Sequence, residues 1–285
     1  MTEPAVPDAG AGGLVRLRVD LGYDGTRFAG WATQPEQRTV QSEVERAFAT
    51  VLRLTEVRVV CAGRTDAGVH ARQQVLHVDV PQTVYAAQGD DDTLGRRLSG
   101  VLPDDIGVRA VRRAAPGFDA RFSPLWRRYA YRISEDPFGP DPLLRHQVLA
   151  HRRPLDIAAM TAAAAGLLGR HDFAAFCRRR EGATTVRTLL ELAWVREDRL
   201  LVARVVADAF CHTMVRALVG ASLAVGEGRR AVGWPAGVLA GRERVPDLYV
   251  APPHGLTLEE VRYPPDDELA ARAVTARARR EVPAL

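Results

Sequence analysis

Hydrophobic and polar residues alternate with a period of two along several short segments, a pattern that predicts β-strands with one buried face. These segments are residues 14–21, 57–62, 73–80 and 106–112 in the first half, and 128–134, 186–196, 200–207 and about 257–263 in the second. Helical spacing of apolar residues appears between them, at 40–52, 92–102, 155–168, 212–226 and, more briefly, near 234–240. The order strand, helix, two strands, helix, strand therefore occurs twice.

The repeated β-α-β-β-α-β order predicts an α+β fold of two ferredoxin-like halves that share architecture without sequence identity. We expect the first half to span residues 14–127 and the second 128–265. Residues 1–13 are expected to be a flexible leader, and 266–285 a polar tail that is a solvated end rather than an amphipathic helix. Two such sheets joined edge to edge would leave a cleft between them, where ligands tend to bind.

The composition is that of a globular chain. Of 285 residues, 47% are hydrophobic and 26% charged, which excludes collagen, coiled coil and wholesale disorder. The net charge is +4, and all 39 cationic residues are arginine. Coding bias explains this arginine usage most simply, while guanidinium groups also suit phosphate contacts, so the charge allows a polyanionic partner without showing one.

The cysteines indicate a reducing compartment. Cys61, Cys177 and Cys211 are odd in number, widely spaced and free of metal-binding spacing, so we expect three free thiols. The first residues are acidic and lack an apolar core, which argues against a secretory signal. No window approaches eighteen uninterrupted apolar residues, so no membrane span is predicted. We therefore expect a cytoplasmic protein.

The segment most suited to chemistry is CAGRTDAGVH, residues 61–70. A predicted strand ends at Cys61, and two glycines permit a tight loop that presents a guanidinium, a hydroxyl, a carboxylate and an imidazole. On spacing alone, the simpler interpretation of Asp66 is an Asx turn. The alternative is a nucleophile or base, kept ionised by the neighbouring Arg64.

The string AGRTDAGVHA resembles the signature loop of the TruA family of tRNA pseudouridine synthases. Further matches follow in family order over about residues 14–264: YDGTRFAGWATQP, FDARFSPLWRRYAYRI, GRHDFAAFC, TVRTL, AFCHTMVRALVGASLAVGEG and GLTLEEVRYP. The resemblance implies a pseudouridine synthase fold, whose halves form one continuous, mixed but mainly antiparallel sheet with a central cleft. It also implies a homodimer that isomerises uridine at positions 38–40 of the tRNA anticodon stem-loop, without metal or organic cofactor.

The same resemblance assigns roles to five residues. Asp66 matches the family nucleophile, and Arg64 an arginine that pairs with it and helps to hold the target nucleotide out of the stack. Tyr129 matches a tyrosine against the target uracil, and Leu256 a leucine over the flipped ring, although both also fit ordinary core positions. Arg216 matches an arginine beside the aspartate, so we expect a salt bridge between Arg216 and Asp66.

The remaining polar candidates concern RNA docking and loop structure. The arginines predicted to contact phosphates are Arg27, Arg121, Arg127, Arg128, Arg178, Arg179 and Arg180. Each is a weak candidate because charge runs are usually solvated faces, while together they would give salt-dependent binding. His70 and His212 are expected to be structural, with His70 shaping the loop at the start of a strand.

Two other functional classes are open to the sequence. A non-catalytic RNA-binding protein of two recognition modules would need surface aromatics and an RNP-like string, yet only 6% of the chain is aromatic and no such string is present. An aspartyl-nucleophile hydrolase would need metal-binding carboxylates or a second acid, and the loop near Asp66 offers neither. Tritium release from uracil carbon 5 separates these classes, because only a synthase releases it.

Overall fold

The computed structural model describes residues 13–178 and 184–277. Its strands are β1 Leu14–Tyr23, β2 Val59–Cys61, β3 His70–Pro81, β4 Ile106–Arg113, β5 Trp126–Ser134, β6 Leu149–Ala150, β7 Gly169–Asp172, β8 Val186–Glu197, β9 Leu200–Ala207 and β10 Leu256–Arg262. Its α-helices are α1 Val40–Leu52, α2 Gln82–Ala86, α3 Asp91–Ser99, α4 Ile157–Ala165, α5 Met214–Gly226, α6 Trp234–Gly241 and α7 Leu269–Arg277. The short elements α2, β6 and β7 were not predicted from the periodicity.

All these strands join one sheet, in the order β4-β1-β3-β10-β5-β9-β8-β7, with β2 paired to β3 and β6 to β5. Both halves use the same arrangement: the last strand lies beside the first, the first beside the third, and the third beside the second. The halves meet where β3 and β10 run parallel, with Thr257 opposite His70. Most other pairs are antiparallel, so the prediction of an α+β fold with a mixed, mainly antiparallel sheet is confirmed.

Local sequence explains why the first-half elements form where they do. In β1, Val15, Leu17, Val19 and Leu21 are buried, and polar side chains occupy the alternate positions. Helix α1 begins after Thr39, whose hydroxyl accepts from the backbone of the third helical residue in a capping box. The apolar stripe of α1 is buried in the core. In the segment before the helix, the Trp31 N–H donates to the Thr65 carbonyl, so that segment lies against the loop at 62–69.

The tail differs from the prediction. Residues 269–277 form helix α7, in which Leu269 and Ala273 are buried. The Ser123 hydroxyl donates to the Leu269 carbonyl at 3.2 Å, and Arg277 forms a 2.7 Å ion pair with Asp119. The prediction of a solvated end is therefore wrong for 269–277, because these two contacts hold α7 against residues 119–123. Residues 266–268 are exposed, and residues 278–285 lie outside the described part.

Two features of the described residues bear on the other expectations. Among them, no helix combines the length and the apolar character needed to cross a bilayer. The predicted leader lies almost wholly outside the described residues, which begin at Gly13.

Candidate active site

The loop at 62–69 connects β2 to β3 at the line where the two halves of the sheet meet. Ala62 donates its backbone N–H to the Val75 carbonyl at 2.8 Å, and Val69 donates to the Asp66 carbonyl at 3.1 Å, which closes the turn. Gly68 has a φ of +77°, a conformation that favours glycine. At the end of the loop, His70 starts β3 and accepts the Gly25 N–H at 3.0 Å through Nδ1, in agreement with the loop-shaping role expected for it.

The segment YDGTRFAGW, residues 23–31, packs against this loop and is hydrogen-bonded to it. The Tyr23 hydroxyl lies 2.7 Å from the Thr65 hydroxyl, and the Trp31 N–H donates to the Thr65 carbonyl at 3.0 Å. Gly30 has a φ of +99°, and a Cβ there would lie 3.0 Å from the Thr65 carbonyl oxygen. The matching of this segment to the family thus has a physical reason: it holds the loop in place.

Asp66 presents its carboxylate to two basic side chains from the other half of the chain. Its Oδ2 lies 3.2 Å from Nη1 of Arg216, and its Oδ1 lies 3.2 Å from Nε2 of His212. Arg216 is held in turn, because its Nε donates to the Ala251 carbonyl at 2.7 Å. The predicted salt bridge between Arg216 and Asp66 is present, and in the described residues the carboxylate makes no Asx-turn contact.

Arg64 occupies a different environment from the one expected. It is exposed, and it forms no ion pair or hydrogen bond within residues 13–178 and 184–277. The predicted pairing of Arg64 with Asp66 is therefore wrong in this structure: Thr65 between them turns inward to Tyr23, and the Asp66 oxygens are already occupied by α5 and the segment before it.

Tyr129 and Tyr131 are both buried on β5, as their period-two spacing predicts. The Tyr129 ring meets the Phe210 ring edge to face, with centroids 5.0 Å apart. Burial, the neighbouring Tyr23 and then the charge of Asp66 raise the pKa of Tyr129. Tyr131 donates its hydroxyl to the Pro252 carbonyl at 2.8 Å, whereas the Tyr129 hydroxyl makes no hydrogen bond to a described residue.

Leu256 is buried at the first position of β10. The residue after it, Thr257, pairs with His70 at the end of the loop, and Leu256 itself lies opposite Tyr131. Leu256 therefore lies one residue before Thr257, the position of β10 that pairs with the residue after the loop at 62–69.

The predicted docking arginines divide by exposure. Those on the surface are Arg27, paired with Asp105 at 3.3 Å; Arg121, stacked on Phe122 at 4.9 Å; Arg128, paired with Glu260 at 2.8 Å; and Arg178. Arg179 and Arg180 lie outside the described residues. Arg127 is only 8% exposed, and its guanidinium donates hydrogen bonds to three backbone carbonyls. This burial contradicts the prediction of Arg127 as a phosphate ligand.

The expectation of three free thiols holds only for Cys61, which is buried. Cys177 and Cys211 form a disulfide, with Cα atoms 5.8 Å apart. The prediction is wrong for this pair because the fold packs residues 174–177 against the start of α5, as the 3.0 Å bond from the Arg178 N–H to the His212 carbonyl also indicates. Spacing along the chain carries no sign of that contact.

Sequence reasoning missed two residues near Asp66. His212 was expected to be structural and Phe210 was not considered, yet one contacts the carboxylate and the other the ring of Tyr129. Their place in the matched string AFCHTMVR was the available signal. No group of three or more His, Cys, Asp or Glu side chains in the described residues is arranged to share a metal ion.

Known proteins are similar to this chain over most of its length. A family model described as tRNA pseudouridine synthase matches residues 163–264. Proteins called tRNA pseudouridine synthase A are similar over nearly their whole length: one from Frankia casuarinae is 61% identical over 95% of this chain and 97% of its own. The protein from Streptomyces griseus is 57% identical over 95% and 96%, and that from Mycobacterium leprae 52% over 92% and 94%.

The fold and the aspartate loop, taken with these matches, define the class as the pseudouridine synthases, which are isomerases. Within that class, the chain belongs to the tRNA pseudouridine synthase A family.

Proposed function

We propose that this chain isomerises uridine to pseudouridine at positions 38–40 of the tRNA anticodon stem-loop, with Asp66 as the nucleophile. The observation that carries the proposal is the Asp66 carboxylate: it sits on a tight loop at the join of the two halves, is held by Arg216, and keeps 22% of its side chain exposed to an approaching substrate. Family membership supports tRNA as that substrate.

The reaction balances without a co-reactant. The bond between ribose C1′ and uracil N1 breaks, C1′ bonds to C5, C5 loses its proton, and N1 gains one. A carboxylate can promote this by attacking C1′, by assisting removal of a ribose proton, or by adding to the uracil ring. All three routes require the Asp66 carboxylate to be aimed at the uridine, and the contact with Arg216 holds its position.

Access to the uridine requires the base to leave its stack, which costs a few kcal/mol. Arg64 is placed to assist because it is exposed, adjoins Asp66 in the loop and has no protein partner among the described residues. Its guanidinium can occupy the vacated position or bind the displaced phosphate. We therefore assign base flipping to Arg64, a role that does not depend on an ion pair with Asp66.

Tyr129 and Leu256 are proposed to line the uracil site. The Tyr129 hydroxyl is free of hydrogen bonds to described residues, and its ring is fixed by Phe210. Its raised pKa keeps the hydroxyl protonated at neutral pH, so it would contact the base as a neutral phenol. Leu256, the first residue of β10, would pack against the uracil ring.

Binding of tRNA is proposed to use the exposed arginines Arg27, Arg121 and Arg128, in a cytoplasmic homodimer whose two subunits contact one tRNA. The ion pairs of Arg27 and Arg128 with acidic neighbours are on the surface and therefore cost little to exchange for phosphate. Affinity should fall with rising salt concentration. Light scattering of the purified chain tests the dimer, and a monomeric mass at assay concentration would exclude it.

The test of the reaction is tritium release from tRNA labelled at uracil carbon 5. Wild-type protein should release tritium, and Asp66→Asn should lower the rate at least about 1,000-fold while tRNA affinity stays within about threefold. Asp267→Asn, at an exposed position in the tail, is the matched control and should keep full activity.

Four outcomes would contradict the proposal or a part of it. Full turnover by Asp66→Asn would remove this residue from the mechanism. Tight tRNA binding without tritium release by the wild type would indicate a binding protein, and free uracil or cleaved RNA would indicate a hydrolase. Mapping pseudouridine in tRNA after reaction tests the positions, and modification only outside 38–40 would overturn that part.

A further inference from the structure

Two basic side chains contact the two carboxylate oxygens of Asp66. Of these two, only Arg216 has a role in the proposed function. The other is His212, whose Nε2 lies 3.2 Å from Oδ1 of Asp66. The contact is an ion pair when the imidazole is protonated, and it is not aligned as a hydrogen bond. His212 and Arg216 therefore contact the carboxylate on different oxygens.

The backbone around His212 holds its imidazole beside Asp66. The His212 carbonyl accepts from the Arg178 N–H at 3.0 Å, and the preceding Cys211 is tied to Cys177 by the disulfide. The following Thr213 has a φ of +68°, a left-handed conformation that is uncommon for a β-branched residue. This turn delays the start of α5 to Met214, so that His212 lies outside the helix.

Arg216 and His212 approach the Asp66 carboxylate from different directions. The Arg216 side chain is 18% exposed, and its Nε is bound to the Ala251 carbonyl, so it holds Asp66 from the interior. The His212 side chain is 45% exposed and contacts the other oxygen from the solvent side, from which tRNA would arrive. Fixing Oδ1 is therefore a task that Arg216 does not perform.

We infer that His212 is a positioning residue that orients Asp66 for reaction. The contact of Nε2 with Oδ1 restricts rotation of the carboxylate about its Cβ–Cγ bond and aims it at the bound uridine. The inference rests on the proposed function of Asp66 as the nucleophile. A misaligned nucleophile slows the chemical step and leaves tRNA binding largely unchanged.

The experiment is tritium release from carbon-5-labelled tRNA by His212→Ala, His212→Phe and His212→Gln, at saturating and limiting tRNA. We expect kcat to fall about 10- to 100-fold in the Ala and Phe variants, with KM within about threefold. The Gln amide can donate from nearly the position of Nε2, so His212→Gln should recover to within about fivefold of wild type.

The matched control is His171→Ala, a partly exposed histidine whose Nε2 contacts the carbonyl of Leu168, away from Asp66. It should keep the wild-type kcat. If His212→Ala does not fold, the Gln and Asn variants give the same comparison, because the shorter Asn amide does not span the distance to Oδ1 and should remain slow.

Several results would overturn the inference. A rise in KM with unchanged kcat would make His212 an RNA contact. If the Gln and Ala variants lose the same fraction of kcat, and both also lose the same amount of melting temperature, the role of His212 is structural. Asp66→Asn separates the two proposals: if it remains active, the proposed function fails, whereas an inactive Asp66→Asn beside a fully active His212→Ala leaves the function intact and refutes only the role of His212.

Discussion

The Arg127 guanidinium donates an N–H to the Ala62 carbonyl at 2.7 Å, which joins β5 to the first residue of the loop at 62–69. The same group donates to the Arg121 carbonyl at 2.8 Å and to the Asp208 carbonyl at 2.6 Å. Burial lowers the pKa of Arg127, yet every one of these contacts is a carbonyl acceptor that a guanidinium satisfies. One buried cation thus ties together three backbone segments around Asp66.

Replacing this cation should therefore cost stability. Arg127→Met leaves buried carbonyls without donors, so we expect the free energy of unfolding to fall by about 3 kcal/mol or more. Denaturant unfolding measures the change. Arg128→Met, at the neighbouring exposed position, is the control and should stay within about 0.5 kcal/mol of wild type. Equal small effects in both variants would show that the buried contacts are unimportant.

Arg64 should behave in the opposite manner. Because it is exposed without a partner among the described residues, Arg64→Gln should leave the free energy of unfolding within about 0.5 kcal/mol of wild type. If Arg64 assists base flipping, kcat/KM for tRNA should fall about 10-fold or more. Arg199→Gln, in the hairpin turn between β8 and β9, serves as the control. Unchanged kinetics in Arg64→Gln would refute the flipping role.

The disulfide between Cys177 and Cys211 should stabilise the oxidised protein. It closes a segment with a sequence separation of 34 residues, for which about 2–4 kcal/mol is typical. Adding reductant to the wild type and substituting Cys211→Ser should therefore give similar losses in denaturant unfolding, and the variant should no longer respond to reductant.

The third cysteine provides the control for that measurement. Burial raises the pKa of the Cys61 thiol to about 12, so it should neither react with alkylating agents in the folded state nor contribute to the response. Cys61→Ala should keep the sensitivity to reductant. A wild type whose stability is the same with and without reductant would contradict the prediction.

His77 should make stability depend on pH on the acidic side. Its Nδ1 accepts the Ala120 N–H at 3.0 Å, and burial, followed by the charge of Arg16, lowers the pKa of His77 to about 4. Between the ordinary value of 6.5 and about 4, the unfolded chain binds a proton that the folded chain does not. The free energy of unfolding should therefore fall as pH decreases through this range.

The measurement is denaturant unfolding between pH 4 and 7 for the wild type and His77→Gln. The difference between the two isolates the histidine from the carboxylates, and the variant should show the weaker dependence. His171→Gln should follow the wild type. Parallel curves for wild type and His77→Gln would show that His77 titrates normally in the folded protein.

Short-range pattern was a good guide to the elements. The alternation at 14–21 corresponds to β1, and the apolar stripe of 40–52 to α1 with its bounds unchanged. The exceptions are local: helix α5 starts at Met214 rather than 212 because Thr213 adopts a left-handed conformation. Strand β7 went unpredicted because four residues are too few to show a period.

Long-range contacts explain the errors at the site. Arg64 is two residues from Asp66 and does not pair with it, while Arg216, 150 residues away, does. Arg127 and Arg128 are adjacent arginines, yet Arg127 is buried and bonded to the loop at 62–69, whereas Arg128 is on the surface. Neither distinction is visible in residue type or spacing.

The sequence by itself determined the alternation that makes the strands, the capped helix before the loop, and the loop chemistry of Asp66, because these depend on residues within a few positions of one another. Only the tertiary structure decided that His212 joins Arg216 at the carboxylate, that Cys177 meets Cys211, and that helix α7 is packed. Those contacts arise from burial of distant segments against one sheet, and which donors, thiols and apolar stripes meet there depends on how the whole chain packs.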